Sequence, residues 1–492
     1  VTAKEVAPGS GLKSFLWESK DLAAVIAVSP FLLFSDWYPR FVSVGGALLL
    51  AIFCMLRWFS NPCRYLVVTA LLFPFIVLSL VSLSISINLD KSLNCLYFLE
   101  LGCALFLLIG GQRDLPGWIA RTWTHLFIAG VLLLGLTGPV VAEFRVPRKF
   151  LDLAIPKMRA PGVGEILDAN ILGCLLAIAL ALAIGFLIQS PADPQERRPR
   201  RLASVWSLLL AILLLVTQSR SALFGIFSAV LVMVALRWRR NRTIALSVFG
   251  IAGVFLWWRD IDFFREIAGR MGAADALTFR LEIWERARYA VQDFPFTGIG
   301  AGTFQEAVLH LYPLVKLSPD AAPYHSHNLY MQLSLDLGIG GLVAFFTLAS
   351  FCFIAGLDCF RSGKGLALGY LGAVVVVLMV GLLDSPLWMN KPNAVIFFLF
   401  GMLATFHFSQ DPVAYARQPA KNVSLFDVLF LIALWLLLTL VSIVLLSWHF
   451  EIAMTLAIGS GFFLGWEWYR LTDDRLGEQP LCRSNRVQRK EI

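Results

Sequence analysis

Ala169-Asn170-Ile171-Leu172-Gly173-Cys174-Leu175-Leu176-Ala177-Ile178-Ala179-Leu180-Ala181-Leu182-Ala183-Ile184-Gly185-Phe186-Leu187-Ile188-Gln189 is a run of 21 residues without one charged side chain. At 1.5 Å of rise per residue, a helix of this length covers about 30 Å, the thickness of a bilayer's hydrocarbon core. The run lacks the apolar–polar alternation of a barrel strand. Lipid offers its backbone amides no partner, so the stretch reads as a membrane-spanning helix that satisfies them internally.

The rest of the chain repeats the pattern. Of 492 residues, 58% are hydrophobic and 15% charged, whereas about a quarter are charged in a soluble domain. Further apolar blocks lie at about 18–36, 41–58, 65–87, 92–111, 120–142, 202–219, 221–236, 243–258, 338–357, 365–387, 393–408, 426–447 and 450–469. The expected fold class is all-α: a polytopic transmembrane helical bundle of about 12–14 spans carrying a large helical loop. Two places admit a broken or re-entrant helix instead, namely the first two blocks and the pair either side of Ser219-Arg220-Ser221. No small-residue cleavage site follows the first block, which reads as a retained helix.

Positive charge orients the bundle, because cytoplasmic loops retain lysine and arginine. Arg57 and Arg64; Arg113 and Arg121; Arg197, Arg198, Arg200 and Arg201; Arg237, Arg239, Arg240 and Arg242; Arg361 and Lys364; and Arg417 and Lys421 all fall on one side. Both termini join them if the span count is even. The net charge of +8 mostly reflects this bias and gives no ground for a nucleic-acid partner. The long polar intervals, about 143–168 and 259–337, then share the opposite, extracytoplasmic face. Four regions follow: N-terminal membrane helices over 1–258, the large outer loop over 259–337, C-terminal membrane helices over 338–470, and a polar cytoplasmic tail over 471–492. All eight cysteines fall in spans, cytoplasmic loops or the tail, so no disulfide is expected in the outer loops.

The large loop carries the chemistry. It ends in Pro323-Tyr324-His325-Ser326-His327-Asn328-Leu329-Tyr330, holding two of the chain's six histidines. Histidine exchanges a proton near neutral pH, which makes this the first place to look for a general base. The plainer reading is a pair of interfacial polar residues. Upstream, Ile261, Phe264, Ile267, Ala268 and Met271, and then Phe279, Ile283, Ala287, Ala290, Val291 and Phe294, recur at helical spacing. They predict two amphipathic helices, lying over the bundle or on the membrane surface. Gly298, Gly300 and Gly302 suggest a tight turn or close backbone approach. They follow no strand and so do not read as a phosphate loop.

Arginines on the outer face run against the positive-inside bias: Arg159, Arg220, Arg265, Arg270, Arg280, Arg286 and Arg288. Arg220 stands between two apolar runs. A charge at bilayer depth costs about 2.5–3.5 kcal/mol, so Arg220 needs a partner, an anionic ligand or the headgroup region. Guanidinium grips phosphate oxygens with two parallel hydrogen bonds, which favours a phosphorylated substrate. No paired carboxylates offer a magnesium site, and no cluster has zinc spacing apart from His325 and His327. No metal or cofactor is expected. Glu143, Glu165, Asp168, Asp336 and Asp384 compete as partners for a histidine or an arginine.

His327-Asn328, followed after nine residues by Gly338 and after two more by Gly341, resembles the histidine motif closing the large periplasmic loop of bacterial O-antigen ligases, within the wider Wzy-type polymerase and ligase superfamily. Arg159 with Gly162 and Asn170, Ser219-Arg220-Ser221, Arg280 with Trp284, and Gly298, Gly300, Gly302 and Phe304 agree in order. The resemblance implies a GT-C-like, inverting, metal-independent glycosyltransferase of the Gram-negative inner membrane, with its active site facing the periplasm. It moves O-antigen glycan from undecaprenyl diphosphate to a sugar hydroxyl of lipid A-core, and its other partner is the phospholipid membrane. His327 is then the general base, Arg220 and Arg280 clamp the diphosphate, and Arg159, Arg265 and Asn328 are further substrate-binding candidates. His325 receives no role. The family usually has about twelve spans, so either the pair over 426–469 is an addition or one broken helix reads as two. An O-antigen polymerase shares the donor and stays open as an alternative. A protein O-oligosaccharyltransferase often carries a longer C-terminal segment. An anion transporter calls for mid-span charges and paired halves, and neither is evident.

Overall fold

The computed structural model describes residues 52, 54–55, 62–111, 117–141, 143–148, 153–160, 163–167, 169–188, 197–238, 274–315, 323–387, 390–408, 425–446 and 449–472. The protein is a polytopic helical bundle. In chain order the described elements are α1 (Pro62–Ser84), α2 (Leu89–Gly110), α3 (Gly117–Val141), β1 (Glu143–Arg148), β2 (Leu153–Ala160), β3 (Val163–Leu167), α4 (Ala169–Ile188), α5 (Arg197–Thr217) and α6 (Arg220–Arg237). They continue with α7 (Ala274–Asp293), α8 (Phe304–His310), α9 (Leu329–Arg361), α10 (Leu366–Gly381), α11 (Asn390–Phe408), α12 (Leu425–Leu446) and α13 (Phe450–Thr472). Among the described residues, six helices are long and apolar enough to cross a membrane: α2, most of α3, α4, α6, α9 and most of α12. Shorter apolar stretches lie in α1, α5, α10 and α11.

Every apolar block from about 65 onward is a helix except the one at 243–258, which lies outside the described residues, as do the block at 18–36, most of 41–58, and the amphipathic stretch 261–271. The segment 143–167, expected only as a polar interval, forms a small antiparallel sheet in the order β1-β2-β3. Arg159 pairs with Glu165 in its register. Strand-forming residues such as Val146, Ile155 and Val163 are consistent with it.

Small residues set the helix packing. In lipid, apolar side chains gain nothing by leaving one tail-like environment for another, so close backbone approach supplies the attraction instead. Gly185 of α4 lies against Gly369 of α10, where any side chain would meet backbone. Gly461 and Gly465 of α13 take up the Phe346–Ser350 stretch of α9 in the same way. Trp435 of α12 reaches Gly340. The terminal pair α12 and α13 is therefore two distinct helices packed on α9, not one broken helix.

Two departures from the expected spans position the site. Helix α9 starts at Leu329, nine residues before the block at 338, because Asn328 caps it, accepting the backbone N–H groups of Tyr330 and Met331 at 3.0 Å each. Helix α10 stops at Gly381, which leaves Asp384 in a turn outside the helix. Gly381 packs on Leu329, Gly225 of α6 on Val376 and Val380, and Gly173 of α4 on Ser219. One end of the bundle thus gathers the N-termini of α4, α6 and α9 with the C-terminus of α10.

Candidate active site

His327 adopts φ +52°, a left-handed conformation costing a non-glycine residue about 1–2 kcal/mol. The loop around it is tied on every side. Ser326, fully buried, donates its backbone N–H to Gln332 Oε1 at 2.8 Å, and its carbonyl accepts from Trp284 Nε1 of α7 at 3.0 Å. The His327 backbone N–H donates to His325 Nδ1 at 3.2 Å. Asn328 Nδ2 donates to the Leu382 carbonyl at 3.1 Å, tying the loop to the turn that carries Asp384. Phe279 of α7 meets the His327 ring edge-on, with centroids 6.0 Å apart. Strain of this kind persists only where surrounding contacts over-determine it, and it marks functional sites.

The glycines explain how α7 and α9 are locked together. Gly338 interrupts α9 with φ +71°, and the turn after α7 docks into the break. Ile299 donates its N–H to the Leu335 carbonyl at 2.7 Å, and Ile339 donates to the Pro295 carbonyl at 2.9 Å. A Cβ on Gly298 would strike Leu335 O, and one on Gly338 would strike Phe296 O. Ala301 is held in turn by Ser82 of α1 and Ser92 of α2.

His327 Nδ1 faces Asp384 Oδ1 at 3.6 Å, just beyond hydrogen-bond length, and the His327 side chain remains 23% exposed. Asp384 itself is buried, and its Oδ1 accepts the Ser385 N–H at 2.9 Å. Burial opposes its ionisation, but the interactions with His327 and His325 and that backbone N–H outweigh it and hold the carboxyl below its ordinary range. Burial, with the neighbouring His327 and Arg280, pushes His325 from 6.5 down to about 4, against the pull of Asp384. His325 is therefore neutral, as its Nδ1 must be to accept a hydrogen bond. The two imidazoles are 4.2 Å apart at their centroids.

The arginines complete the electrostatics. Burial lowers Arg280 from its ordinary value, Asp384 raises it, and Arg220 lowers it further. Arg280 is thus close enough to feel the charges of both Asp384 and Arg220. Arg220 is exposed at the first residue of α6, after a second left-handed residue, Gln218, with φ +51°. Ser219, its N-cap, donates through Oγ to Asn170 Oδ1 at 3.2 Å. Among the described residues, Gln218 and His327 are the two non-glycine residues with positive φ. Both lie beside a site helix's N-terminus, where partial positive charge favours an anion.

A metal deserves a direct test of fit. His325, His327 and Asp384 each offer one ligand atom, all within 4.8 Å of one another. The surrounding charge argues otherwise, since a divalent cation would enter beside two guanidinium groups.

The region holding most of this geometry, residues 205–346, matches the family model described as O-antigen ligase. That stretch of the chain is similar to the O-antigen ligase family. No curated protein matches the chain significantly.

Of the residues singled out in the sequence, His327, Asn328, Arg220 and Arg280 all lie in the matched stretch. Arg159 lies on β2, outside the matched stretch, and Arg265 lies outside the described residues. The Asn328 side chain is occupied by the cap of α9 and by Leu382. Asp384 was one of five competing carboxylates. Asp336 is another of those five, whereas the sequence reading does not single out Gln332, although with Asn328 and Asp336 it forms an i, i+4, i+8 polar stripe.

Proposed function

We propose that this protein is an O-antigen ligase that transfers glycan from undecaprenyl diphosphate to a sugar hydroxyl of lipid A-core, at the periplasmic face of a Gram-negative inner membrane. The single observation that carries the reading is the His327–Asp384 pair at 3.6 Å, with Arg280 within electrostatic reach of Asp384 and Arg220 within reach of Arg280. A sugar hydroxyl is a poor nucleophile, whereas a diphosphate leaves readily once its charge is neutralised, so base and cations serve opposite partners.

With Nδ1 toward Asp384, His327 has Nε2 for the acceptor. The acceptor oxygen attacks the anomeric carbon and its proton passes to Nε2. The bond between that carbon and the diphosphate oxygen breaks with its electron pair going to the diphosphate, and the configuration inverts. Asp384 stabilises the imidazolium, in the manner of a triad carboxylate. Arg220 and Arg280 hold the leaving diphosphate, and Arg159 and Arg265 are weaker candidates for the same donor. Asn328 acts as the cap that orients the base. The cationic surroundings favour a reaction without a metal.

The test is transfer by purified protein, with lipid-linked donor and core acceptor, in excess EDTA. Turnover should be unchanged. A hundredfold loss restored by zinc or magnesium would assign the His325, His327 and Asp384 cluster to a metal instead.

A further inference from the structure

Four buried groups join the glycine turn to the histidine loop in one line. Gly302 donates its backbone N–H to Asp336 Oδ1 at 3.1 Å, and Gln332 Nε2 donates to the same oxygen at 3.0 Å. At its other end, Gln332 Oε1 accepts the Ser326 N–H at 2.8 Å. Ser326 and Gln332 are essentially inaccessible, and Asp336 is 7% exposed. The line is directional. Gln332 needs an acceptor at one end and a donor at the other, which only a carboxamide supplies. Asp336 needs one oxygen able to take two N–H groups.

We propose that Gln332 and Asp336 are positioning residues for transfer: through the Ser326 amide they hold His327 in its left-handed conformation, and through Gly302 they couple that loop to the turn docked in the break of α9. The proposal rests on His327 being the base. Asp336 serves as a hydrogen-bond acceptor and not as a proton carrier, which separates it from Asp384. The groups are buried and bonded to one another, so removing either one leaves its neighbours without their partner and loosens the loop, and a displacement of about 1 Å at a reacting group costs up to about a hundredfold in rate.

The experiment uses full-length protein in nanodiscs and two readouts: hydrogen exchange of the segment 323–328, and single-turnover transfer beside donor affinity. Gln332→Leu and Asp336→Leu should speed exchange and slow transfer by about tenfold to a hundredfold, with donor affinity unchanged. Gln332→Glu, which sets two carboxylates face to face, should do the same. Asp336→Asn keeps an acceptor oxygen and should restore both readouts to near wild type. If Asp336→Asn is as slow as Asp336→Leu, the carboxylate itself is needed and the proposal is overturned. Unchanged exchange and transfer in Gln332→Leu also overturns it. A parallel His327→Ala sample separates the two ideas, because transfer surviving there removes the base assignment whatever the loop exchange reports.

Discussion

Two breaks in the bundle meet at the site end, one between α5 and α6 at Gln218, Ser219 and Arg220, and the other ahead of α9 at His325, Ser326, His327 and Asn328. Both contain a left-handed non-glycine residue, at φ +51° and +52°, and both lead into a helix N-terminus. They are fixed differently. At the first, Ser219 makes no side-chain cap bond, and Arg220 projects exposed. At the second, Asn328 caps two backbone N–H groups, and Ser326 is clamped from α7 and from α9. The difference matches the two tasks. A guanidinium on a long stem can adjust to a diphosphate, whereas a general base must already sit within about 2.6–3.2 Å of the proton it takes.

The largest expected effect falls on the second break. His327→Ala should lower steady-state transfer by about 10²–10⁴, the usual cost of losing a general base. His325→Ala removes the acceptor for the His327 backbone N–H and the ring beside His327, but no group placed to take the acceptor's proton, and should retain much more activity. The reverse ranking would mean that the wrong histidine carries the chemistry.

At the first break, Arg220→Lys keeps the charge but loses the planar two-pronged grip. A drop of about tenfold in transfer is expected, and equal activity would place Arg220 at the headgroups rather than on the donor.

The smallest effect concerns acid. In an unfolded loop His325 binds a proton near 6.5, but in the folded site only near 4, surrounded by His327, Arg280 and Asp384. Between those values the open loop holds more protons, so the loop's stability rises with pH. The contribution is fully present above about 6.5 and is lost as pH falls toward 4. Hydrogen exchange of 323–328, corrected for intrinsic rates, should be a few-fold faster at pH 5 than at pH 7.5. His325→Asn keeps an acceptor without a titrating ring and should flatten that slope.

The sequence carried the helices well because lipid demands long uncharged runs, and Ile283, Ala287, Ala290 and Val291 of α7 are buried as their spacing predicts. The glycines were legible as places of close approach, since positive φ and missing Cβ atoms leave that signature. What they approach was not legible, because Leu335 and Phe296 are brought in by the break in α9. Asp384 could not be singled out from the five carboxylates for a similar reason: it lies 57 residues beyond His327, and the packing of Gly381 on Leu329 and the bond from Asn328 to the Leu382 carbonyl bring its turn to the histidine. The sheet over 143–167 was missed because a short, charged segment shows no clean alternation.

The division of labour between the two breaks is tested most directly by measuring donor affinity and single-turnover transfer on the same nanodisc preparations of His327→Ala and Arg220→Ala. His327→Ala should bind undecaprenyl-diphosphate glycan as the wild type does and transfer it at least about a hundredfold more slowly. Arg220→Ala should lose donor affinity as well as rate. Near-normal transfer by His327→Ala, or loss of donor affinity in that variant alone, would contradict the account.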